Sequence, residues 1–321
     1  MFVSKLQLKN FKRFTDLTID LSGLRPAPRL VLMIGVNGSG KSCVFDAFEW
    51  LSLADKNAKR PIDETYYKKS PTMPLWGEMV DAKGRKLQGN DGVFTGDFGT
   101  QTAFYGRSAF RQIPELTVTS LTGGFNLEED SDRPRRYIEP DNRFENDVAT
   151  MVRRLVREVL GFRFDPQELL DQYITPINLA LARIFGDSSA IALSLHSMLP
   201  PLQTQPVEMR FRKGVSDINY DLLSSGEKEI INILFNLHNR RAFYQDTIYF
   251  IDELDVHLNT SLQYNLLKEI TENWLPEKCQ LWTASHSLGF IQYAQESAHA
   301  AILDFDQFDF DVPHTLTPRI K

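Results

Sequence analysis

The sequence predicts an α/β protein in which one parallel sheet is interrupted by an inserted α+β lobe. Continuous apolar runs, typical of strands buried on both faces, alternate with helical stretches near both ends of the chain. Between them, from Ala54 to about Gln205, short apolar stretches rich in Gly, Thr and Lys are followed by helical periodicity. We therefore expect a head formed by residues 1–53 and 207–321, with a lobe at 54–206.

The N-terminal part of the head is predicted to contain three strands and a helix. Phe2–Leu8 and Thr15–Leu21 alternate between apolar and polar residues, as half-buried strands do, whereas Arg29–Ile34 is a continuous apolar run. After a glycine-rich stretch, Cys43–Leu53 has the apolar spacing of a helix.

The lobe is predicted to be β-rich over residues 54–134 and helical over residues 143–199. Its clearest strand is Thr102–Phe110. Val148 begins an apolar stripe at helical spacing, and Pro166 has a place typical of the first turn of a further helix.

The C-terminal part of the head opens with a hairpin that turns near Gly214. The apolar patterns then predict a helix, a strand, a second helix and two more strands, at 226–241, 247–251, 260–274, 280–284 and 300–305. The acidic residues from Asp304 to Asp311 are interpreted as an edge strand and loop, and no nuclease activity is inferred from them.

Composition excludes several classes of protein. With 36 Lys and Arg against 42 Asp and Glu, the net charge is −6, so broad binding of nucleic acid is not expected. No apolar run approaches the ~20 residues of a membrane span, and the alternating N-terminus is unlike an export signal. Two cysteines, Cys43 and Cys279, are too few for a disulfide framework, so we expect a protein of the reducing cytoplasm with no membrane partner.

The strongest chemical signal is Gly35–Ser42, which reads G-x-x-x-x-G-K-S between an apolar strand and a helix. Glycines let backbone N–H groups surround phosphate oxygens, and the positive end of the helix adds to that field. Lys41 would neutralise the β- and γ-phosphates, and the Ser42 hydroxyl would ligate Mg²⁺. The sequence therefore predicts a P-loop NTPase that uses ATP and Mg²⁺. The predicted nucleotide-binding residues here are Gly35, Asn37, Gly38, Ser39, Gly40, Lys41, Ser42 and Cys43.

A second signal is the apolar run Thr247–Ile251 followed by Asp252 and Glu253. Asp252 would hold the magnesium through its water shell, and Glu253 would orient and deprotonate an attacking water. Alone, such a run is usually a strand that enters a loop. The phosphate loop in the same chain favours the catalytic interpretation.

A third signal, Leu223–Lys228, places two serines and a glycine at the start of a helix. By itself it is an N-cap with an acidic first turn. It resembles the signature loop of the ATP-binding-cassette (ABC) ATPases, and the chain as a whole resembles the SMC/RecF/OLD branch of that superfamily. Three more segments carry the resemblance: Lys5–Phe14 resembles the first strand with its NF(R/K) element, Asp252–Leu258 the extended Walker B motif and D-loop, and Ser285–Ser287 the switch-histidine loop.

The resemblance covers residues 1–53 and 207–321 and implies an ABC-type ATPase head that pairs with a second copy, head to tail, around two ATPs. Each site would combine catalytic and binding groups of one copy with the signature loop of the other. These groups are the phosphate loop with Lys41, Asp252, Glu253 and His286 from one copy, and Ser224, Ser225 and Gly226 from its partner.

Three further assignments follow from the resemblance. Lys12 corresponds to a basic residue near the N-terminus that adds to the phosphate field. Gln112 fits the glutamine that senses Mg²⁺ better than Gln101 does, although an ordinary surface glutamine is an equal alternative. His286 is either the switch histidine or a buried core histidine, and its position after an apolar strand favours the switch.

Basic residues cluster in three places: Arg133, Arg135 and Arg136; Arg153, Arg154 and Arg157; and Arg210, Arg212 and Lys213. Interspersed carboxylates favour a solvated, salt-bridged surface. The alternative is that the clusters share one face of a dimer and contact a DNA or RNA backbone without reading its sequence.

The resemblance implies a nucleotide-driven switch, in which ATP closes the dimer and hydrolysis opens it. Compact heads of this kind resemble the ATPase subunits of bacterial anti-phage defence systems, where a separate effector protein often supplies the nuclease or toxin. The alternative is a RecF-like DNA-binding ATPase of repair or maintenance. The NF(R/K) element and the insertion disfavour a transporter subunit, and the signature loop disfavours a small-molecule kinase.

Overall fold

A five-stranded parallel sheet forms the centre of the protein. The computed structural model describes residues 1–54, 63–97, 102–111, 115–121, 139–141, 143–161, 165–187, 190–203, 205–255, 257–306 and 309–319. The strands are β3 (Leu30–Ile34), β7 (Phe104–Arg107), β11 (Ile248–Ile251), β12 (Gln280–Ala284) and β13 (Ala300–Asp304). They lie in the order β13-β3-β12-β11-β7, and all neighbours are parallel. The strand residues are almost all buried, as apolar runs covered on both faces require.

A second, six-stranded sheet is formed mainly by antiparallel neighbours. Its strands are β1 (Val3–Phe11), β2 (Phe14–Asp20), β4 (Trp76–Asp81), β5 (Lys86–Asn90), β6 (Val93–Gly96) and β14 (Pro313–Leu316). The order is β14-β2-β1-β4-β5-β6, and only the pair of β14 with β2 is parallel.

Helix α1 (Lys41–Ser52) lies between the two sheets and belongs to one apolar cluster with both of them. The ring of Phe48 lies 5.7 Å from that of Phe250 in β11 and 5.0 Å from that of Trp282 in β12, centroid to centroid. On the other side, Trp50 lies 5.8 Å from Phe11 in β1. A helix covered on two sides has to be apolar on both, and this explains its burial from Val44 through Leu51.

The opposite face of the parallel sheet is covered by helices. These are α3 (Phe144–Leu160), α5 (Thr175–Phe185), α6 (Ser225–Arg240), α7 (Thr260–Glu269) and α8 (Leu288–Glu296), with the short α4 (Pro166–Leu169) and single π-helical turns at Leu170–Ile174 and Ile270–Trp274. The short α2 (Glu64–Tyr67) lies on the other side, in the cluster around α1, with the ring of Tyr67 5.8 Å from that of Phe11. A third sheet, β10-β9-β8, adds Leu193–Leu199 (β8), Glu208–Lys213 (β9) and Ser216–Asn219 (β10). Leu30 and Leu32 of β3 belong to the apolar cluster that these helices form, whereas Val31 and Met33 point to the other face and belong to the cluster around α1. Among the described residues, no helix is long and apolar enough to cross a membrane.

One face of α6 carries a row of buried polar residues, here called the polar seam: Glu229, Asn232, Asn236, Asn239 and Arg240. Their spacing places them along one side of the helix. The seam faces β7 and α3: Arg107 donates to Asn232 at 3.3 Å, and Asn236 donates to Asp147 at 2.6 Å. Asp147 also accepts from Arg240. Buried polar groups are stable only when they are paired, so the seam fixes α6 against the segment from β7 to α3.

The structure agrees with several predicted elements and differs at others. Strand β12 coincides with the predicted 280–284, and the hairpin turns at Gly214, where φ is 59°. The prediction of helix through residue 199 is wrong for Leu193–Leu199, which forms β8 by pairing with β9. Strands β4 to β6 extend the sheet of β1, with Lys5 opposite Val80, and β7 joins the parallel sheet. The boundary expected at residue 54 therefore does not separate one sheet from another.

Shortening Phe48 to Ala is expected to lower the free energy of unfolding by about 3–5 kcal/mol, because it opens a cavity among the rings that join α1 to β11 and β12. Leu160→Ala is the control: this side chain is 70% exposed, and its truncation should change stability by less than about 0.5 kcal/mol. Chemical denaturation of both variants measures the difference. Equal losses would contradict the placement of α1 in the core.

Candidate active site

A cavity of about 590 Å³ opens where β3, β12 and β11 end. The carboxyl ends of parallel strands meet at one edge of a sheet, and such edges form binding crevices. Strand β3 leads into the phosphate loop, and β11 leads into Asp252 and Glu253. Since β12 lies between these two strands, the loop that follows β12 reaches the cavity between the two motifs. The lining residues are Arg13, Asn37, Gly38, Gly40, Lys41, Ser42, Cys43, Asp252, Glu253, Asp255, Ala284, Ser285 and His286.

The loop Gly35–Ser42 wraps tightly at the start of α1. Gly40 is the N-cap of the helix with φ 91°, and a Cβ there would lie 2.9 Å from the ring of Phe14. At Gly35, φ is 140° and a Cβ would lie 3.0 Å from that of Phe305. Both positions therefore require glycine, for conformation and for space. The resulting turn leaves the N-terminus of α1 directed at the cavity, where its dipole favours an anion.

The ammonium of Lys41 lies inside the loop. Its Nζ is 2.6 Å from the Gly35 carbonyl, 3.0 Å from the Val36 carbonyl and 3.4 Å from the Ser39 hydroxyl. Burial lowers the pKa of Lys41, and the nearby Asp252 carboxylate raises it in opposition. A cation held by neutral carbonyls at the wall of a cavity is well placed to pair with an incoming anion.

A hydrogen bond between Ser42 and Asp252 joins the phosphate loop to the acidic residues that follow β11. The Ser42 hydroxyl donates to Asp252 Oδ2 at 3.0 Å. Burial, followed by the adjacent Glu253 charge, raises the pKa of Asp252 to about 7. A hydroxyl beside a buried carboxylate fits Mg²⁺, which prefers oxygen ligands. In the described part of the chain no three His, Cys, Asp or Glu residues cluster as a metal site, so Mg²⁺ here would take its other ligands from water and substrate.

Glu253 and His286 complete the wall of the cavity. Glu253 is exposed there, with φ 46°. His286 Nε2 lies 2.7 Å from Asn37 Oδ1 and 3.5 Å from Lys41 Nζ. Desolvation, followed by the Lys41 charge, lowers the pKa of His286, which favours the neutral imidazole. The alternative that His286 is a core histidine is wrong, because the residue is exposed and lines the cavity.

The Ser224–Gly226 segment lies at the N-terminus of α6, outside the cavity lining. Ser224 and Glu227 form a capping box, in which Glu227 Oε2 accepts from the Ser224 backbone N–H at 2.8 Å. Gly226 is packed so closely that a Cβ would lie 2.9 Å from the carbonyl of His257. Ser224 and Ser225 are exposed. Within one chain the structure therefore does not bring this segment to the phosphate loop.

The position of Lys12 does not fit its predicted role in the phosphate field. Its ammonium lies 3.2 Å from Asp46 Oδ2 and 3.0 Å from the ring centroid of Tyr66, so it is engaged beside α1. The next residue, Arg13, lines the cavity, donates to the Gly38 carbonyl and lies over the ring of Phe310 at 4.1 Å. Adjacency to Lys12 was the only sequence signal for Arg13.

The remaining predicted positions divide into described and undescribed residues. Gln112, Gln101 and the cluster around Arg133 lie outside the described residues. Cys43 lines the cavity, and burial raises the pKa of its thiol to about 11. In the third basic cluster, Arg210 bridges Glu208 at 2.6 Å and Asp217 at 3.3 Å, as the salt-bridged surface alternative expects.

Comparison with known proteins supports the fold. A family model described as an AAA domain matches residues 5–149. No curated protein matches the chain. Among solved structures, the Smc head bound to the C-winged-helix domain of ScpA is 14% identical with a TM-score of 0.51, covering 99% of this chain and 98% of that one. The SMC head domain from Thermotoga maritima is 15% identical with a TM-score of 0.46, covering 100% of both chains. The chain has the fold of the Smc head, and the predicted α/β fold class is confirmed.

Asp252→Asn is expected to stabilise the ligand-free protein at pH 8 by about 4 kcal/mol. The folded-state pKa of about 7 is above the ordinary 3.8, so ionisation of Asp252 costs stability as pH rises from about 4 to 7. Near pH 4 the gain should vanish. Melting temperatures at both pH values test this, with Asp187→Asn, an exposed site, as the control. An equal effect at both pH values would contradict it.

Proposed function

We propose that the protein, built on the head fold described above, binds Mg-ATP in the cavity and hydrolyses it to ADP and phosphate. The observation that carries the proposal is the convergence of Lys41, the Ser42–Asp252 pair and Glu253 on one cavity. The match to an AAA domain model and the P-loop fold support nucleotide binding and ATPase activity.

Six of the lining residues have a role in this reaction. Lys41 and Arg13 pair with phosphate oxygens, and Ser42 and Asp252 would hold Mg²⁺, which would supply neutralisation of phosphate charge. Glu253 orients a water toward the γ-phosphorus and accepts its proton as the new P–O bond forms and the bond to ADP breaks. His286, neutral and beside Lys41, offers a hydrogen bond to the γ-phosphate.

The active form in this proposal is a homodimer, head to tail, that encloses two ATPs. Ser224, Ser225 and Gly226 of one copy contact the nucleotide on the phosphate loop of the other. The exposure of Ser224 and Ser225, outside the cavity of their own chain, supports this arrangement. Apolar side chains are also exposed on both halves of the proposed interface: Leu222 beside the signature segment is 79% exposed, and Leu288 after the histidine loop 72%. Burial of such side chains favours association.

In the cell we propose a nucleotide-driven switch, the ATPase and sensor subunit of a bacterial anti-phage defence system that regulates a separate effector. The two free cysteines fit the reducing cytoplasm. The alternative is a RecF-like DNA-binding ATPase. The net charge of −6 and the pairing of Arg210 with two carboxylates favour a protein partner over a nucleic acid.

Glu253→Gln is expected to keep ATP affinity within about twofold and to lower kcat by about 10²–10⁴-fold, because the amide cannot accept the proton of the attacking water. The variant should accumulate as a dimer with ATP, at twice the chain mass of 36.8 kDa by light scattering. Lys41→Ala, which removes the loop cation, is the control and should neither bind ATP nor dimerise. If the mass of Glu253→Gln is the same with and without ATP, the dimer model is wrong.

The two cellular roles differ in DNA binding by the isolated protein. The switch proposal expects no ATP-dependent retention of duplex DNA on filters at 50 mM salt. The RecF-like alternative expects retention that weakens about 10³–10⁵-fold by 200 mM salt if six to ten phosphates are contacted. Charge reversal at Arg210, an already paired site, serves as the control for non-specific adhesion.

A further inference from the structure

Arg111 contacts the backbone of Asp252 and Glu253, two of the acidic residues at the cavity. It follows β7, and its side chain is 2% exposed. Nη1 donates to the carbonyl of Asp252 at 2.7 Å and to that of Ser108 at 2.7 Å, and Nη2 donates to the carbonyl of Glu253 at 2.8 Å. The planar guanidinium thus holds two successive carbonyls of the catalytic loop, which a lysine ammonium cannot span in the same geometry.

The backbone that Arg111 holds is in a rare conformation. Glu253 has φ 46°, in the left-handed region that residues with a side chain seldom adopt. Such a conformation persists only where its surroundings hold it. Since the backbone angles of Glu253 decide where its carboxylate points, a change at the two carbonyls would displace that carboxylate.

The other edge of the guanidinium reaches α6. Arg111 Nε lies 2.5 Å from Glu229 Oε1, and the Glu229 side chain is 4% exposed. Glu229 is the first residue of the polar seam and lies five residues after Ser224, the N-cap of α6. One side chain therefore connects the helix that begins at the signature segment with the backbone of Glu253.

We propose that Arg111 is a positioning residue that fixes the carboxylate of Glu253 and couples it to α6 through Glu229. When a second copy contacts Ser224–Gly226, the position or the mobility of α6 changes. Arg111 transmits this change to the backbone of Asp252 and Glu253. The inference rests on the proposed ATPase function, in which Glu253 orients the attacking water. It predicts that loss of either contact of Arg111 impairs hydrolysis more than nucleotide binding.

The test uses the full chain with Arg111→Lys, Glu229→Gln and the control Arg183→Lys. Arg183 donates to Glu269 at 2.7 and 2.6 Å, a comparable two-pronged ion pair outside the cavity. For Arg111→Lys we expect kcat to fall by about 10–100-fold, since small misplacement of a reacting group has costs of that order, with KM and ATP affinity within twofold. Glu229→Gln, which keeps shape and an acceptor, should show a smaller loss of kcat, and Arg183→Lys none.

Two further measurements separate positioning from a merely structural role. In a Glu253→Gln background, Arg111→Lys should cause no further loss, because the group it positions is gone. Hydrogen exchange of residues 252–255 should speed up in Arg111→Lys and stay unchanged in Arg183→Lys. Multiplicative losses in the double variant, or unchanged exchange and kcat, would overturn the inference. A different outcome would separate the two proposals. If the wild-type protein has no ATPase activity but hydrogen exchange of residues 252–255 still speeds up in Arg111→Lys, the proposed function is wrong and the positioning contact stands.

Discussion

The site depends on the packing of α1 against β11. The ring of Phe250, two residues before Asp252, stacks with Phe45 at 6.2 Å and Phe48 at 5.7 Å, and Phe45 follows Ser42 by three residues. These two aromatic contacts therefore set the distance between the helix that carries Ser42 and the strand that precedes Asp252. The 3.0 Å bond between those side chains follows from core packing and does not have to be created by a ligand.

Apolar packing positions both halves of the proposed machinery, and in one of them buried polar contacts add to it. The phosphate loop and α1 are held by rings between two sheets, where shape decides the geometry. Helix α6 packs through buried apolar residues such as Ile231 and Phe235, and the polar seam adds buried contacts, in which Asp147 accepts from Asn236 and Arg240. A polar contact of this kind fails if its donors and acceptors shift out of line, whereas apolar packing tolerates small slides. The seam therefore suits a helix whose movement has to be transmitted in one defined direction.

Local signals in the sequence predicted much of the cavity but little of what supports it. Gly35–Ser42, Asp252 and Glu253 could be found because glycine and carboxylate chemistry follows directly after an apolar strand. Strands β4 to β6 could not be assigned to the sheet of β1, because that pairing joins segments some seventy residues apart. Lys12 and Arg13 occupy a two-residue turn between paired Phe11 and Phe14, where neighbouring side chains diverge, so sequence alone could not tell which faces the cavity. Arg111 gave no signal, because its partners are backbone carbonyls, which no residue type marks.

The charges around the cavity bear on how it would take a nucleotide. Of the described residues that line it, Arg13 and Lys41 are basic, whereas Asp252, Glu253 and Asp255 are acidic. Asp306 adds a further carboxylate, which accepts from the Val36 N–H at 2.7 Å beside the loop. A nucleoside triphosphate without a metal would be repelled by these carboxylates. The backbone N–H groups of the loop, with Arg13 and Lys41, have to offset this repulsion. A divalent cation held at Asp252 would offset this repulsion, so the proposed site is expected to bind the nucleotide more tightly with the metal than without it.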